Sequence, residues 1–174
     1  MATLALKPVV LVPTDMSDPS LPAVTYAADL TRRVGGTMIL FHVISPKEVE
    51  EAVADGVYVD KLIDNLRAEL LWWFATFVPL EIREKISVQT MAAIGHPEQE
   101  ILAAAESIRA GMIVMATHGR TGLQRALLGS VAEAVVRQAR CPVLTIRTLG
   151  VEAVPVGRGE AAKGGVASTT EGLR

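Results

Sequence analysis

The sequence predicts an α/β protein with a doubly wound parallel sheet and right-handed crossovers. Five short apolar runs alternate along the chain with segments that have the period of an amphipathic helix, an order typical of repeated βαβ units. The first two runs are continuously apolar, as in strands that are buried on both faces of a sheet. A chain of 174 residues is long enough for one domain with a sizeable core.

The first half of the chain is predicted to contain two strands and the helix between them. Residues 7–12 form the first strand, and the prolines that follow mark a helix that ends at Gly35-Gly36. The inner face of this helix carries Val24, Ala27, Ala28 and Thr31. The second strand is Thr37–Ile44. The acidic residues 45–59 predict a solvated, partly helical and mobile connection.

The second half begins with a long amphipathic helix, predicted over residues 60–78. Its apolar positions recur at alternating steps of three and four residues: Ile63, Leu66, Leu70, Trp73 and Phe77. The neighbours that widen the apolar arc toward a partner surface are Leu71, Trp72 and Phe74. Partial alternation over residues 85–91 predicts a half-exposed edge strand. A further helix is expected to begin at Pro97 and to run to about residue 110.

The stretch at residues 112–147 carries the clearest functional pattern. It contains a predicted strand (112–115), a loop (116–128), a helix that opens at Gly129-Ser130, and a last strand, Val143–Ile146. A strand followed by a Gly-rich loop and a helix N-terminus commonly binds phosphate, because backbone N–H groups and the helix dipole face the anion. The loop also contains Gly119, Arg120, Gly122 and Arg125. The spacing alone is equally consistent with a plain connection capped by serine, and neither GxGxxG nor GxxxxGK[ST] is present.

Three further side chains are candidates for chemistry, and each has a simpler structural interpretation. Asp15 follows the first strand at the carboxyl edge of the sheet, where ligands bind in open α/β folds, but an aspartate there also commonly hydrogen-bonds the following turn. His42 lies in an apolar strand and is expected to be a satisfied core residue rather than a metal ligand. Cys141 is expected to be a buried structural thiol, because no histidine lies near it in the sequence.

Composition and charge argue against several classes of protein. A formal net charge of -2 disfavours nucleic-acid binding, and no apolar run approaches the roughly 18 residues of a membrane span. The single cysteine excludes an internal disulfide framework and suits a reducing cytoplasm, so we expect a soluble cytoplasmic protein without a signal peptide. Residues 149–174 lack aromatic residues and periodicity, which predicts a flexible tail after a domain at residues 1–148.

The glycine loop and the first strand resemble those of the universal stress protein family. Nucleotide-binding members carry Gly-x-x-Gly, a nine-residue spacer and Gly-Ser or Gly-Thr, and this chain has Ala116-Thr117-His118-Gly119, the same spacer and Gly129-Ser130. Only the first glycine of the pattern is replaced. The opening VVLVPTDMSDPS and the segment SVAEAVVRQARCPVLTIR also match, and the resemblance spans roughly residues 5–147.

The resemblance implies a fold and a ligand. The fold would be a Rossmann-like sandwich of the adenine-nucleotide alpha-hydrolase type, with the strand order 3-2-1-4-5 and a cleft between strands one and four. The ligand would be ATP or the related AMP or ADP, with Mg²⁺ or Mn²⁺ beside a triphosphate. In the family the glycine loop holds the phosphates, whereas the positions of Asp15 and of the Val43 backbone hold ribose and adenine. The residues assigned to the site are Pro13, Thr14, Asp15, Val43, Met115, Ala116, His118, Gly119, Arg120, Gly129, Ser130 and Val131.

The resemblance also implies a stress-response regulator rather than a metabolic enzyme. The sequence offers no well-placed general base, since His118 in the loop is expected to contact solvent. Slow ATP hydrolysis or autophosphorylation is kept as an alternative. Because the family pairs two subunits through the last strand, a homodimer through Val143–Ile146 is expected.

Two other functions compete with a nucleotide-binding regulator. The first is a dimeric interaction module of the same fold that does not bind nucleotide, which Ala116 favours and the intact Gly129-Ser130 opposes. The second is a phosphoacceptor receiver domain, which needs an aspartate after strand three and a lysine after strand five. Thr90-Met91 and Arg147-Thr148 stand at those places, so the receiver domain is set aside.

Overall fold

The computed structural model describes residues 7–117 and 128–147, which form one five-stranded sheet. The strands are β1 (Val9–Pro13), β2 (Thr37–Ile44), β3 (Ser87–Ile94), β4 (Met112–Ala116) and β5 (Val143–Ile146). Their order across the sheet is β3-β2-β1-β4-β5, and every neighbouring pair is parallel. This order confirms the predicted doubly wound topology. The predicted C-terminal tail lies outside the described residues.

Six helices connect the strands within the described part of the chain. They are α1 (Leu21–Val34), α2 (Pro46–Ala54), α3 (Val59–Phe77), α4 (Leu80–Arg83), α5 (Pro97–Ser107) and α6 (Ser130–Gln138). A short 3-10 turn, Asp18–Ser20, precedes α1. None of the helices in residues 7–117 and 128–147 combines the length and the apolar character that crossing a membrane requires.

Two hydrophobic cores lie on opposite faces of the sheet. The front core, between the sheet and helices α1 and α3, buries Val10, Val12, Val24, Ala27, Ala28, Met38, Leu40, Trp73, Phe74, Val78 and Val114. The rear core, between the sheet and helices α5 and α6, buries Leu11, Ile39, Phe41, Ile101, Ala104, Ala105, Ile113, Met115, Ala132 and Val135. Successive side chains of a strand point to opposite faces. Both faces are covered, which explains the continuous apolar runs of β1 and β2.

The predicted inner face of α1 is confirmed, since all four of its residues are buried. The Thr31 hydroxyl donates to the Ala27 carbonyl oxygen at 2.7 Å, so the one polar side chain of this face is satisfied. The helix ends at Gly35, whose φ of +64° is a left-handed conformation that glycine adopts without steric cost. Gly36 then passes close to the start of β1, because a Cβ at this position would lie 2.3 Å from the Pro8 carbonyl oxygen.

The buried stripe of α3 differs from the predicted one near the end of the helix. Trp73 is buried as expected, but Phe74 is also buried and Phe77 is 44% exposed, so the prediction was wrong for these two phenylalanines. The helix ends at Phe77, and Val78 immediately after it enters the front core. Phe77 instead covers the edge of Trp73, with ring centroids 5.6 Å apart. Trp72 is 68% exposed.

The connections contain more regular structure than the sequence indicates. The acidic connection after β2 contains α2, which begins with a capping box. The Ser45 hydroxyl accepts from the Glu48 N–H at 3.3 Å, and the Glu48 carboxylate accepts from the Ser45 N–H at 2.8 Å. Helix α4 was not predicted, because four residues are too few to show helical periodicity. Strand β3 extends to Ile94, past the predicted end at residue 91, since it pairs with β2 over its full length.

Helix α5 ends at Ser107, before the predicted end near residue 110, because the backbone turns left-handed after it. Arg109 has a φ of +50°, and the Ala110 N–H donates to the Ala105 carbonyl oxygen at 2.8 Å. This hydrogen bond closes the helix C-terminus, with Arg109 at the position that glycine usually occupies.

We expect Arg109→Gly to raise the free energy of unfolding by about 0.5–1 kcal/mol, because a left-handed conformation costs a residue with a Cβ more than it costs glycine. Urea denaturation of the two proteins measures the difference. Arg109→Ala is the matched control, since it removes the same side chain but keeps the Cβ, and it should give no gain. Equal stability of the glycine and alanine variants would show that residue 109 carries no strain.

Candidate functional site

A cavity of about 290 Å³ opens at the carboxyl edge of the sheet, on the side of the rear core. The ends of β1, β2 and β4 form its floor, and the first turns of α5 and α6 form its walls. Ligands of open α/β proteins bind at this edge, at the place where the strand order reverses. The volume is near the lower end of the range for small-molecule sites.

Nine of the residues that the sequence assigns to a site line this one cavity. They are Pro13, Thr14, Asp15, Val43, Met115, Ala116, Gly129, Ser130 and Val131. The other assigned residues, His118, Gly119 and Arg120, lie outside the described residues, as do the loop residues Gly122 and Arg125. The structure therefore brings together every assigned residue that it describes.

The turn after β1 is held by Thr14, whose backbone N–H and hydroxyl are both hydrogen-bonded. Its N–H donates to the Phe41 carbonyl oxygen at 2.9 Å, which extends the ladder between β1 and β2 by one residue. Its hydroxyl accepts from the Met16 N–H at 3.0 Å and lies 2.9 Å from the Ser20 hydroxyl. Because the Ser20 hydroxyl donates to the Ser17 carbonyl oxygen at 2.7 Å, the Thr14 hydroxyl must be the donor of the pair.

Asp15 lines the cavity and also bonds the turn that follows it. Its Oδ1 accepts from the Ser17 N–H at 3.1 Å and from the Ser17 hydroxyl at 2.5 Å, so the simpler role that the sequence allowed is present. Met16 between them has a φ of +57°, in the left-handed region where a residue with a Cβ is strained. Side-chain hydrogen bonds therefore hold this turn in a strained conformation.

His42 is a satisfied core residue, as the sequence predicts. It is 7% exposed and shares a face of β2 with Met38 and Leu40 of the front core. Its Nδ1 lies 2.8 Å from the Thr14 carbonyl oxygen. Since a carbonyl oxygen can only accept, Nδ1 carries the hydrogen of this bond.

The end of β2 presents backbone groups to the cavity that no described strand can pair. Phe41 directs its carbonyl toward β1, and residues two apart in a strand direct their backbone groups to the same neighbour. The N–H and C=O of Val43 therefore also point to the β1 side. Because β1 ends at Pro13, opposite Phe41, no residue of a described strand lies opposite Val43 there.

The N-terminus of α6 forms the opposite wall of the cavity. Gly129 is the N-cap, with an extended backbone (φ -70°, ψ 156°), and its N–H donates to the Thr117 carbonyl oxygen at 2.7 Å. No side chain caps this helix among the described residues, so Ser130 is its first residue rather than its cap. The first-turn N–H groups of Ser130, Val131 and Ala132 lack intrahelical partners. All three residues line the cavity, which makes this wall a potential anion site.

Ala116, which replaces the first glycine of the family pattern, is the last residue of β4. Along β4 the side chains of Met112 and Val114 contact the front core, whereas Ile113 and Met115 contact the rear core. The same alternation directs the Ala116 methyl group to the front face. Ala116 is nevertheless one of the residues that line the cavity.

The cavity has an apolar side and a hydrogen-bonding side. Its apolar lining consists of Pro13, Phe41, Val43, Pro97, Ile101, Met115, Val131 and Ala132. Its hydrogen-bonding groups are the backbone at the end of β2, the Asp15 carboxylate and the first turn of α6. This combination suits a ligand with a flat, weakly polar ring at one end and an anion at the other.

Part of the lining was not predicted from the sequence, namely Ser20, Phe41, His42, Pro97, Ile101, Thr117 and Ala132. Pro97 was identified only as the start of a helix. In a parallel sheet, every helix that follows a strand begins at the carboxyl edge. The strand order then shows which of these helices begins beside the cleft. That order was the signal that could have found Pro97 and Ile101.

Cys141 lies away from this cavity, before the start of β5 at the opposite edge of the sheet. Its thiol is partly exposed, whereas the sequence predicts full burial, and it packs against the rear core. Partial burial raises the pKa of the Cys141 thiol. The thiol therefore stays protonated at neutral pH, as a structural cysteine does. The described residues contain no group of three His, Cys, Asp or Glu side chains placed to hold a metal ion.

Comparison with known proteins identifies the family. A sequence model of the universal stress protein family matches residues 8–147. The chain belongs to the universal stress protein family. The universal stress protein MJ0531 of Methanocaldococcus jannaschii is 34% identical over 139 residues, which cover 79% of this chain and 81% of that protein. The family match includes all five strands and every described residue of the cavity.

Solved structures of universal stress proteins share the fold. MJ0577 of Methanocaldococcus jannaschii superimposes with a TM-score of 0.62 at 26% identity, over 82% of this chain and 97% of that chain. A universal stress protein in complex with cAMP has a TM-score of 0.58 at 22% identity, over 83% and 99% of the two chains. The universal stress protein of Archaeoglobus fulgidus in complex with dAMP has a TM-score of 0.55 at 21% identity, over 80% and 97%. These structures confirm the predicted fold.

Proposed function

We propose that this universal stress protein binds ATP or a related adenine nucleotide in the cavity and acts as a regulator of the stress response. The observation that carries the proposal is that two sets of backbone groups, which have no partner within their own helix or among the described strands, meet at one cavity. One set belongs to the first turn of α6, and the other belongs to β2 at Val43. The two structures of other family members with cAMP and dAMP support a nucleotide as the ligand.

The phosphate groups would bind at α6. The N–H groups of Ser130, Val131 and Ala132 are donors without intrahelical partners, and the helix dipole adds positive potential at the same place. Glycine at the N-cap leaves these donors without competition from a side chain of residue 129. A bound phosphate would therefore supply the missing cap.

The adenine ring would bind at the end of β2. The Watson–Crick edge of adenine has a donor, the exocyclic amine, beside an acceptor, the ring nitrogen, and the C=O and N–H of Val43 are complementary to this pair. The apolar side chains of Ile101 and Pro97 border the same region and would contact the ring faces. Backbone recognition of this kind needs no particular side chain at position 43. The ribose would lie between the two ends, beside Asp15.

The proposed role is binding and signalling rather than rapid catalysis. Among the described lining residues, Asp15 and His42 are the titratable side chains, and each hydrogen-bonds the turn after β1 through one atom, Oδ1 of Asp15 and Nδ1 of His42. A general base must be able to reach the attacking water, so we expect at most slow hydrolysis or autophosphorylation. A Mg²⁺ or Mn²⁺ ion would be held mainly by the triphosphate, as is usual for these ions.

Gly129→Asp should weaken ATP binding by about tenfold or more without destabilising the protein. An aspartate is a favourable N-cap and complements the helix dipole, but its carboxylate occupies the donors and repels the phosphate. Isothermal titration calorimetry of the wild type and the variant with ATP, ADP and AMP, with and without Mg²⁺, measures the loss. Thermal unfolding without nucleotide checks that the variant is at least as stable as the wild type.

Gly129→Asn is the matched control, because it has nearly the same size and capping ability but no charge. It should bind nucleotide better than the aspartate variant does. Equal affinities of the wild type and the aspartate variant would contradict the proposed phosphate position. No binding by the wild type at millimolar ATP, in protein freed of co-purified nucleotide, would contradict the proposed function and favour the interaction module.

We also propose that two copies of the chain pair through β5. Within the described residues, β5 has β4 as a neighbour on one side only, and its four residues are all half-buried. The Ile113 and Thr117 N–H groups donate to the Pro142 and Ile146 carbonyls, so the even-numbered residues of β5 face β4. Val143 and Thr145 therefore direct their backbone groups to the open edge. An open apolar edge of this kind is normally covered.

Thr145→Pro should convert a dimer into a monomer, because proline removes one N–H from the open edge and spares the ladder with β4. Size-exclusion chromatography with light scattering at micromolar concentration gives the mass of each protein. Thr145→Val is the control and should remain dimeric. A monomeric wild type, or an unchanged dimer in the proline variant, would contradict pairing through this edge.

A further inference from the structure

A side-chain hydrogen bond joins two parts of the proposed nucleotide site, the end of β2 and the turn after β1 that carries Asp15. His42 precedes Val43, whose backbone would hold adenine, and its Nδ1 donates to the carbonyl of Thr14, which precedes Asp15. The two residues are 28 positions apart in the chain. The bond therefore links the end of β2 to the turn after β1.

The bond from His42 to Thr14 lies one step beyond the last backbone hydrogen bond between β1 and β2. The ladder between β1 and β2 ends with the Thr14 N–H donating to the Phe41 carbonyl oxygen. Short-range hydrogen bonds also hold the turn after Thr14. His42 thus adds a side-chain hydrogen bond from β2 to the turn after β1, at the place where the backbone hydrogen bonds between the two strands end.

The backbone of this turn is strained, so hydrogen bonds from neighbouring residues are needed to hold its conformation. Met16 is left-handed, with a φ of +57°, and a turn of this kind persists when surrounding contacts hold it. The Thr14 hydroxyl bonds both the Met16 N–H and the buried Ser20 hydroxyl. With the bond from His42, the N–H, the C=O and the hydroxyl of Thr14 are all hydrogen-bonded. Thr14 is therefore held firmly where the turn begins.

We infer that His42 is a positioning residue of the nucleotide site: through its Nδ1–H it sets the distance between the Val43 backbone and the Asp15 carboxylate. This inference rests on the proposed nucleotide-binding function. His42 itself lines the cavity, but its Nδ1 is engaged by the Thr14 carbonyl oxygen, and the role inferred here is exerted through that bond.

The position of the donor atom gives a sharp test with matched variants. The side-chain amide of asparagine can be placed near Nδ1 of histidine, whereas the amide of glutamine extends to about the position of Nε2. His42→Asn should therefore keep a donor for the Thr14 carbonyl, and His42→Gln should not. His42→Leu removes the donor and keeps an apolar side chain in the front core.

Hydrogen exchange in the ligand-free full chain is the first measurement. The amides of Met16, Ser17 and Ser20 are bonded within the turn, and their exchange reports how firmly it is held. We expect exchange about tenfold faster or more in the Gln and Leu variants, as for the loss of a buried hydrogen bond, and near the wild-type rate in the Asn variant. The amide of Val135 in α6 provides an internal reference for global stability.

Affinity for AMP, measured by titration calorimetry on the same four proteins, is the second measurement. It should fall about tenfold in the Gln and Leu variants and recover in the Asn variant. Wild-type exchange rates at the turn in the Gln and Leu variants overturn the positioning role, whatever the affinities are. Faster turn exchange with unchanged AMP affinity also overturns it, because the turn would then not shape the site. A wild type that does not bind AMP defeats the proposed function instead, and the exchange rates still report separately whether His42 holds the turn.

Discussion

The offset between the ends of β1 and β2 is the constraint on which the site depends. β1 stops at Pro13, opposite Phe41, while β2 continues to Ile44 in register with β3. This offset leaves the Val43 backbone without a strand partner on one side and gives the chain room to turn away after Thr14. On the other side of the gap, α6 begins with a glycine cap and leaves its first N–H groups unbonded by any described side chain. The cavity is the space between these two incomplete ends.

Most of the fold could be predicted from the sequence, because both faces of the sheet are covered and its central strands are therefore apolar throughout. The runs at β1, β2 and β4 and the period of α1 carry enough signal to place each element within a few residues. The failures have local physical causes. The four residues of α4 are too short for a period, α5 ends early because Arg109 turns left-handed, and Phe77 loses its core position because α3 ends beside it.

The candidate site was predictable in part for a different reason. The carboxyl edge of the sheet carries residue types that are typical of a ligand site, namely glycines, Ser130 and Asp15. Nine of the residues assigned to the site from the sequence line one cavity. The groups expected to contact the ligand are mostly backbone N–H and C=O, which any residue carries, so their roles are invisible without the strand register. The direction of the Ala116 methyl group is another example, because it follows from the parity of its position in β4.

In the proposed complex, an adenine nucleotide bridges the end of β2 and the N-terminus of α6. The most direct test is a titration of ¹⁵N-labelled protein with AMP, followed by the amide chemical shifts. The largest shifts are expected at Val43 and at Ser130, Val131 and Ala132, with saturation at one common affinity. Saturable shifts confined to another surface, or no shifts at millimolar AMP, would contradict it.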